Sequence, residues 1–137
     1  MRITTGTDIL KITRLFSNSG RVDWDDPFIK KAFTEQERNQ GREREDEKVR
    51  AQYFAVRFAG KEAVFKAISG CGLGFEPRDI EVVDGVYGRP EIVIRGDTKE
   101  KLDRFLAECG ERLSIDVSLS FESEYAIAAA TALFEKI

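Results

Sequence analysis

The chain has 137 residues, with 22 Lys+Arg against 25 Asp+Glu for a net charge of -3, 42% hydrophobic residues and no histidine. A chain of this size folds without staples, burying about 70% of its unfolded surface, and its mixed charges exclude both intrinsic disorder and the strongly basic nucleic-acid-binding class. The missing histidine removes Ser-His-Asp and Cys-His catalysis and every His-ligated metal, which leaves carboxylates, lysines, hydroxyls and a hard cation to carry chemistry. Cys71 and Cys109 are too few and too widely spaced for a zinc cluster or a disulfide framework, so a reduced, cytoplasmic setting is expected. With no apolar leader and no run of about 18 apolar residues, neither export nor a membrane partner is expected.

In chain order, residues 2–13 alternate around Gly6-Thr7-Asp8 and predict a strand running into a turn and a helix, with Asp8 at the junction. Asp25-Asp26-Pro27 is a helix-start signal, and the charge run 35–50 reads as a solvated helix or helix pair with i,i+4 contacts. Residues 51–69 form the clearest helix, with Phe54, Phe58, Phe65 and Ile68 at near-helical spacing and a stop at Gly70. A glycine-rich loop follows, then β-rich runs at 80–83 and 91–94 that read as a hairpin. The spacing predicts a helix over 98–109, capped by Thr98 and ended by Gly110. Two closing strands at 115–119 and 125–133 flank a turn at 121–124; the stretch 126–133 also fits a helix. No linker or repeat divides the chain, so residues 1–137 are expected to form one domain.

Glu62 and Lys66 lie four apart on one face of the central helix. An exposed ion pair is the ordinary explanation, but the flanking positions are apolar or small, and Gly70, Gly72 and Gly74 follow in a loop whose amides can approach phosphate. Asp8 is either a helix cap or a ligand residue. Asp8 and Glu62 together suit magnesium, which takes oxygen ligands and needs only one or two carboxylates beside its waters and substrate phosphates.

Gly6-Thr7-Asp8-Ile9 with Arg14, Phe33-Thr34-Glu35, Arg57-Phe58-Ala59-x-Lys61-Glu62-Ala63-x-x-Lys66-Ala67, the glycine loop, Asp79-Ile80-Glu81-Val82, Gly88-Arg89-Pro90 and Ser118-Leu119-Ser120 occur in one order. In that order the chain resembles the 4'-phosphopantetheinyl transferases over essentially its whole length, most closely the short, holo-acyl-carrier-protein synthase type. The resemblance implies an α+β fold with an antiparallel sheet packed on a long central helix. It implies transfer of the phosphopantetheine arm of coenzyme A to a serine of an acyl carrier protein, with Mg2+, in a homotrimer with sites between subunits. By the same resemblance Asp8 and Glu62 are the metal ligands, Glu62 and Lys66 the catalytic pair, and Arg14 and Arg21 dock the carrier protein. Lys61, Lys66, Gly70, Gly72, Gly74, Arg89, Pro90, Ser120 and Phe121 are the expected coenzyme contacts. Two departures stand out: Phe121 occupies the position of a family histidine, and Gly60 that of an alanine. The first keeps open a second reading, a non-catalytic relative that binds coenzyme A or a carrier protein as an assembly partner.

Overall fold

The computed structural model describes residues 1–16, 22 and 24–137. Strand β1 (Arg2–Lys11) is followed by the short helices α1 (Ile12–Leu15), α2 (Pro27–Ala32) and α3 (Glu35–Arg42), and then by the long helix α4 (Glu47–Ile68). The hairpin β2 (Ile80–Asp84) and β3 (Pro90–Ile94) leads to α5 (Gly96–Cys109), and β4 (Glu111–Glu122) and β5 (Tyr125–Lys136) close the chain. The long strands form an antiparallel sheet in the order β1-β5-β4, beside the separate β2-β3 ladder. This is the mixed helix and antiparallel-sheet architecture expected from the sequence, with the long helix at its centre.

Local chemistry sets the boundaries. Asp26 caps α2 from in front of Pro27, and Thr34 and Glu37 form a reciprocal capping box on α3. The Asp46 carboxylate accepts from the backbone N–H of Lys48 and Val49, which starts α4 at residue 47, earlier than its apolar periodicity suggests. Thr98 is not the cap of α5. The helix begins at Gly96, and the Asp79 carboxylate takes the capping place, accepting from the Thr98 N–H and hydroxyl. The final strands are longer than expected, so the turn between them shrinks to Ser123 and Glu124, with Ser123 at φ 54°.

Helix α4 is buried nearly all round, as a helix at the centre of a core must be. It lies across β1 and β5. Ala126, Ala128, Ala130 and Ala132 all point at it and are buried, so this alanine run is a strand whose small side chains let the helix approach. At Gly6 the approach is closest: a Cβ there would sit 1.9 Å from the Ala63 carbonyl oxygen. Phe33 packs edge to face on Phe54 and at a tilt on Phe58, and Phe75 packs on Phe58 and Phe65 to hold the following loop on α4. Among the described residues no helix is long and apolar enough to cross a membrane.

Candidate active site

Asp8 lies inside β1, not at a strand-to-helix junction, because the strand continues to Lys11. Even-numbered residues of β1 face α4, so Asp8 points at the helix from an edge strand and is buried. Lys66, in the last turn of α4, reaches across to the strand. Its ammonium donates to Asp8 Oδ1 at 3.1 Å and to the Thr7 carbonyl oxygen at 2.8 Å. Asp8 Oδ2 is buried and has no hydrogen-bond partner. Glu62 stands one turn before Lys66. Burial holds its carboxyl above the usual carboxylate range, the Asp8 charge pushes it further up, and Lys66 opposes both.

Two carboxylates and one ammonium leave this cluster with excess negative charge and an orphaned carboxylate oxygen, a donor set that suits a hard divalent cation. No group of three His, Cys, Asp or Glu side chains able to hold a metal occurs among the described residues. A dication here would complete its coordination with water and the oxygens of a bound phosphate, as magnesium commonly does.

The structure does not bring the other expected contacts to this cluster. Lys61 is corrected outright. Its side chain is fully buried, and its three N–H donors go to Glu37 Oε1 at 2.8 Å, the Pro77 carbonyl at 2.9 Å and the Ile80 carbonyl at 2.7 Å, so none remains for a phosphate. Gly70, Gly72 and Gly74 have open space where side chains would be, but they follow the C-terminus of α4, the negative end of its dipole. The Gly72 N–H is already given to the Ser69 carbonyl. Any anion held here would depend on Lys66 rather than on the helix.

Arg89 and Pro90 lie at the β2-β3 turn, where Arg89 pairs with Asp116. With Ser118, Leu119, Ala129 and Thr131 they line a cleft of about 290 Å³. It shares no lining residue with Asp8, Glu62 and Lys66, because β5 separates β4 from β1. Ser120 and Phe121 are both exposed, but as successive strand residues they point to opposite faces of the sheet. Phe121 is on the α4 side, paired with Ala126 one row beyond the Asp8 row. Arg14 is exposed on α1, whereas Lys11 belongs to β1 and pairs with Glu124. Arg21 lies outside the described residues.

Sequence reasoning missed Glu37 as the partner of Lys61. The signal was present in Thr34-x-x-Glu37, a capping-box spacing that fixes the glutamate against its own helix start.

A family model for the 4'-phosphopantetheinyl transferase superfamily matches residues 4–130. A holo-[acyl-carrier-protein] synthase of Caldanaerobacter subterraneus subsp. tengcongensis is 34% identical over 134 residues, covering 97% of this chain and 96% of its own. In overall shape the chain is similar to the Chronobacterium ammoniagenes ACPS-CoA complex, with a TM-score of 0.80 at 22% identity, covering 99% of this chain and 100% of that one. The Helicobacter pylori holo-[acyl-carrier-protein] synthase in complex with coenzyme A gives a TM-score of 0.69 at 25% identity, covering 92% and 96%. With the Asp8, Glu62 and Lys66 cluster in place on the long helix and its edge strand, the chain belongs to the 4'-phosphopantetheinyl transferase superfamily, among the holo-acyl-carrier-protein synthases.

Proposed function

We propose that the chain transfers the 4'-phosphopantetheine arm of coenzyme A to a serine hydroxyl of an acyl carrier protein. The observation that carries this reading is the buried Asp8 carboxylate with one oxygen bound by Lys66 and the other unpartnered, next to Glu62. In the reaction the serine oxygen forms a bond to the phosphorus bearing the pantetheine arm. The bond to the adenosine bisphosphate leaving group breaks, and the serine proton passes to a base. Asp8 and Glu62 would hold Mg2+, which when bound neutralises charge on the pyrophosphate oxygens.

Lys66 serves two ends. Its ammonium fixes the Asp8 carboxylate, and its half-exposed position allows it to meet a coenzyme phosphate. Glu62, whose carboxyl is held above its usual range, is suited to accept the serine proton. Arg14 on the exposed first helix suits an acidic carrier protein, and the neighbouring cleft of about 490 Å³, lined by Ile12, Thr13, Lys48, Gln52 and Glu124 among others, offers it room.

The homotrimer belongs to this proposal. One chain holds the Asp8 cluster at the β1 edge and the Arg89-Pro90 cleft at the β4 edge, so a second copy is needed to bring the two sets onto one coenzyme. The sheet face turned away from α4 exposes Ile3 and Ile9, apolar surface that such packing would cover. Free thiols at Cys71 and Cys109 agree with a cytoplasmic setting.

Mass measurement of a candidate carrier protein before and after incubation with coenzyme A and Mg2+ tests the proposal. One added phosphopantetheine per carrier supports transfer, and an unchanged mass overturns it. Phe121 favours the second reading, a binding partner without activity, because it offers neither charge nor a hydrogen bond where the family carries a histidine. Coenzyme A binding without transfer would select that reading.

A further inference from the structure

Lys61 and Glu37 carry charges on side chains with 0% exposure. The Lys61 ammonium joins α4 to three other elements: α3 through Glu37, the turn at Pro77, and β2 through the Ile80 carbonyl. Glu37 in turn accepts from the Thr34 N–H at 2.9 Å and the Val82 N–H at 3.0 Å. The Thr34 hydroxyl donates to Glu81, whose other oxygen takes Arg95. Every donor of Lys61 is therefore used, and both oxygens of Glu37 are engaged.

Burying two charges is costly, and burial draws the Lys61 ammonium toward its neutral form against the pull of Glu37. A well-packed apolar pair of the same volume would often serve stability as well or better. What the charged pair adds is direction, because its bonds are satisfied at one rotational setting of α4 only. Successive helix residues are about 100° apart, so fixing Lys61 toward β2 and α3 sends Glu62 round toward β1, with Lys66 above it on the same face. Gly6 sets the distance between strand and helix on that side.

We propose that Lys61 and Glu37 are positioning residues: the buried pair sets the rotation of α4 and so holds Glu62 and Lys66 against Asp8. The inference rests on the reading of Asp8 and Glu62 as the metal ligands, and it gives the first lysine of the Lys-Glu-x-x-x-Lys segment a task distinct from binding phosphate.

The test measures Mn2+ binding to the full chain by electron paramagnetic resonance, with kcat and the coenzyme A KM for transfer, at a temperature where each variant is folded by circular dichroism. The double variant Lys61→Met/Glu37→Gln removes both charges together. It is expected to bind Mn2+ at least tenfold more weakly and to lose at least tenfold in kcat, with a raised coenzyme A KM because Lys66 and the cation both face the coenzyme's phosphates. Leu102→Ala, a cavity in the buried face of α5, lowers the melting temperature but should leave Mn2+ affinity and kcat unchanged. Parent-like affinity and kcat in the folded double variant overturn the proposal, and so does an equal loss in Leu102→Ala. Should the double variant not fold, Thr34→Val loosens the same frame from its outer end; a severalfold fall in both quantities supports the proposal, and parent values overturn it. Unaltered Mn2+ binding in Glu62→Gln would instead overturn the ligand assignment beneath it.

Discussion

Lys66 and Asp8 are 58 residues apart in sequence, yet the lysine ammonium lies 3.1 Å from the aspartate Oδ1 and leaves Oδ2 without a partner. A buried carboxylate that keeps an oxygen unpaired is costly unless something binds it. The arrangement is understandable if a cation completes it. Asp8→Asn and Glu62→Gln are each expected to lower magnesium-dependent transfer by at least 100-fold, on the scale of removing one electrostatic contact from an active site. Thermal melts should remain near the parent's. Full activity in both variants would remove the assignment.

Close packing between Gly6 and α4 makes a stability prediction independent of chemistry. Gly6→Ala places a Cβ against backbone atoms of Ala63 and Ala67, and overpacking of this kind costs about 1 to 3 kcal/mol or more. Gly70→Ala meets nothing within 4 Å and should change stability by less than about 0.5 kcal/mol. Urea midpoints of the two variants separate a glycine required by packing from one that is not.

Much of this arrangement was legible from sequence because it follows local periodicity. The apolar spacing of 51–69 marked α4, the turn residues of 84–90 marked the hairpin, and Glu62 and Lys66 shared a face by their spacing. Whatever depends on distant partners was not legible. Lys61 sits beside Glu62 in sequence, and only Glu37, 24 residues earlier, together with the Pro77 and Ile80 carbonyls, makes it a buried structural charge. Asp8 reads as a cap or a ligand residue at a strand-to-helix junction, because nothing local shows that β1 continues through it to pair with β5. The alanines of β5 favour a helix by propensity, and only pairing with the distant β1 and β4 beneath α4 makes them a strand.

Tyr53 predicts an alkaline limb in stability. Its hydroxyl donates to the Gln40 side chain, and Arg57 stacks on its ring. Burial pushes its pKa from 10.0 up to about 12. The folded state therefore keeps a proton that the unfolded chain has lost. The contribution is complete below pH 10 and is lost as pH rises toward 12, at most about 2.7 kcal/mol. Chemical denaturation of the parent and Tyr53→Phe at pH 8, 10 and 11 checks the sign: the parent should weaken relative to the variant with each step.

Arg14 gives a binding prediction. Exposed charge pairs between α1 and an acidic carrier protein are screened by salt. Arg14→Glu should raise the carrier KM about tenfold at low ionic strength, less at high, and leave coenzyme A affinity unchanged. A carrier KM that does not move would place docking elsewhere on the surface.

Phe121 is 52% exposed near the end of β4, on the α4 side of the sheet and one row from Asp8 across β5. An aromatic ring left this open at a strand end adds little to the core and is free to meet a ligand or a second copy of the chain. Stacking on the adenine would be worth about 1 to 3 kcal/mol, and Phe121→Ala should then weaken coenzyme A binding by roughly 5- to 150-fold on that scale. Phe121→His restores the family residue and a flat ring, so binding should be retained. Calorimetric titration of coenzyme A into the alanine variant separates the possibilities. Weaker binding with an unchanged assembly state assigns the ring to the coenzyme. Unchanged binding with a smaller particle by light scattering assigns it to packing between copies. Normal binding in the parent assembly with transfer abolished would give position 121 a role in the chemical step, which a phenyl ring can fill only by shaping or drying the site.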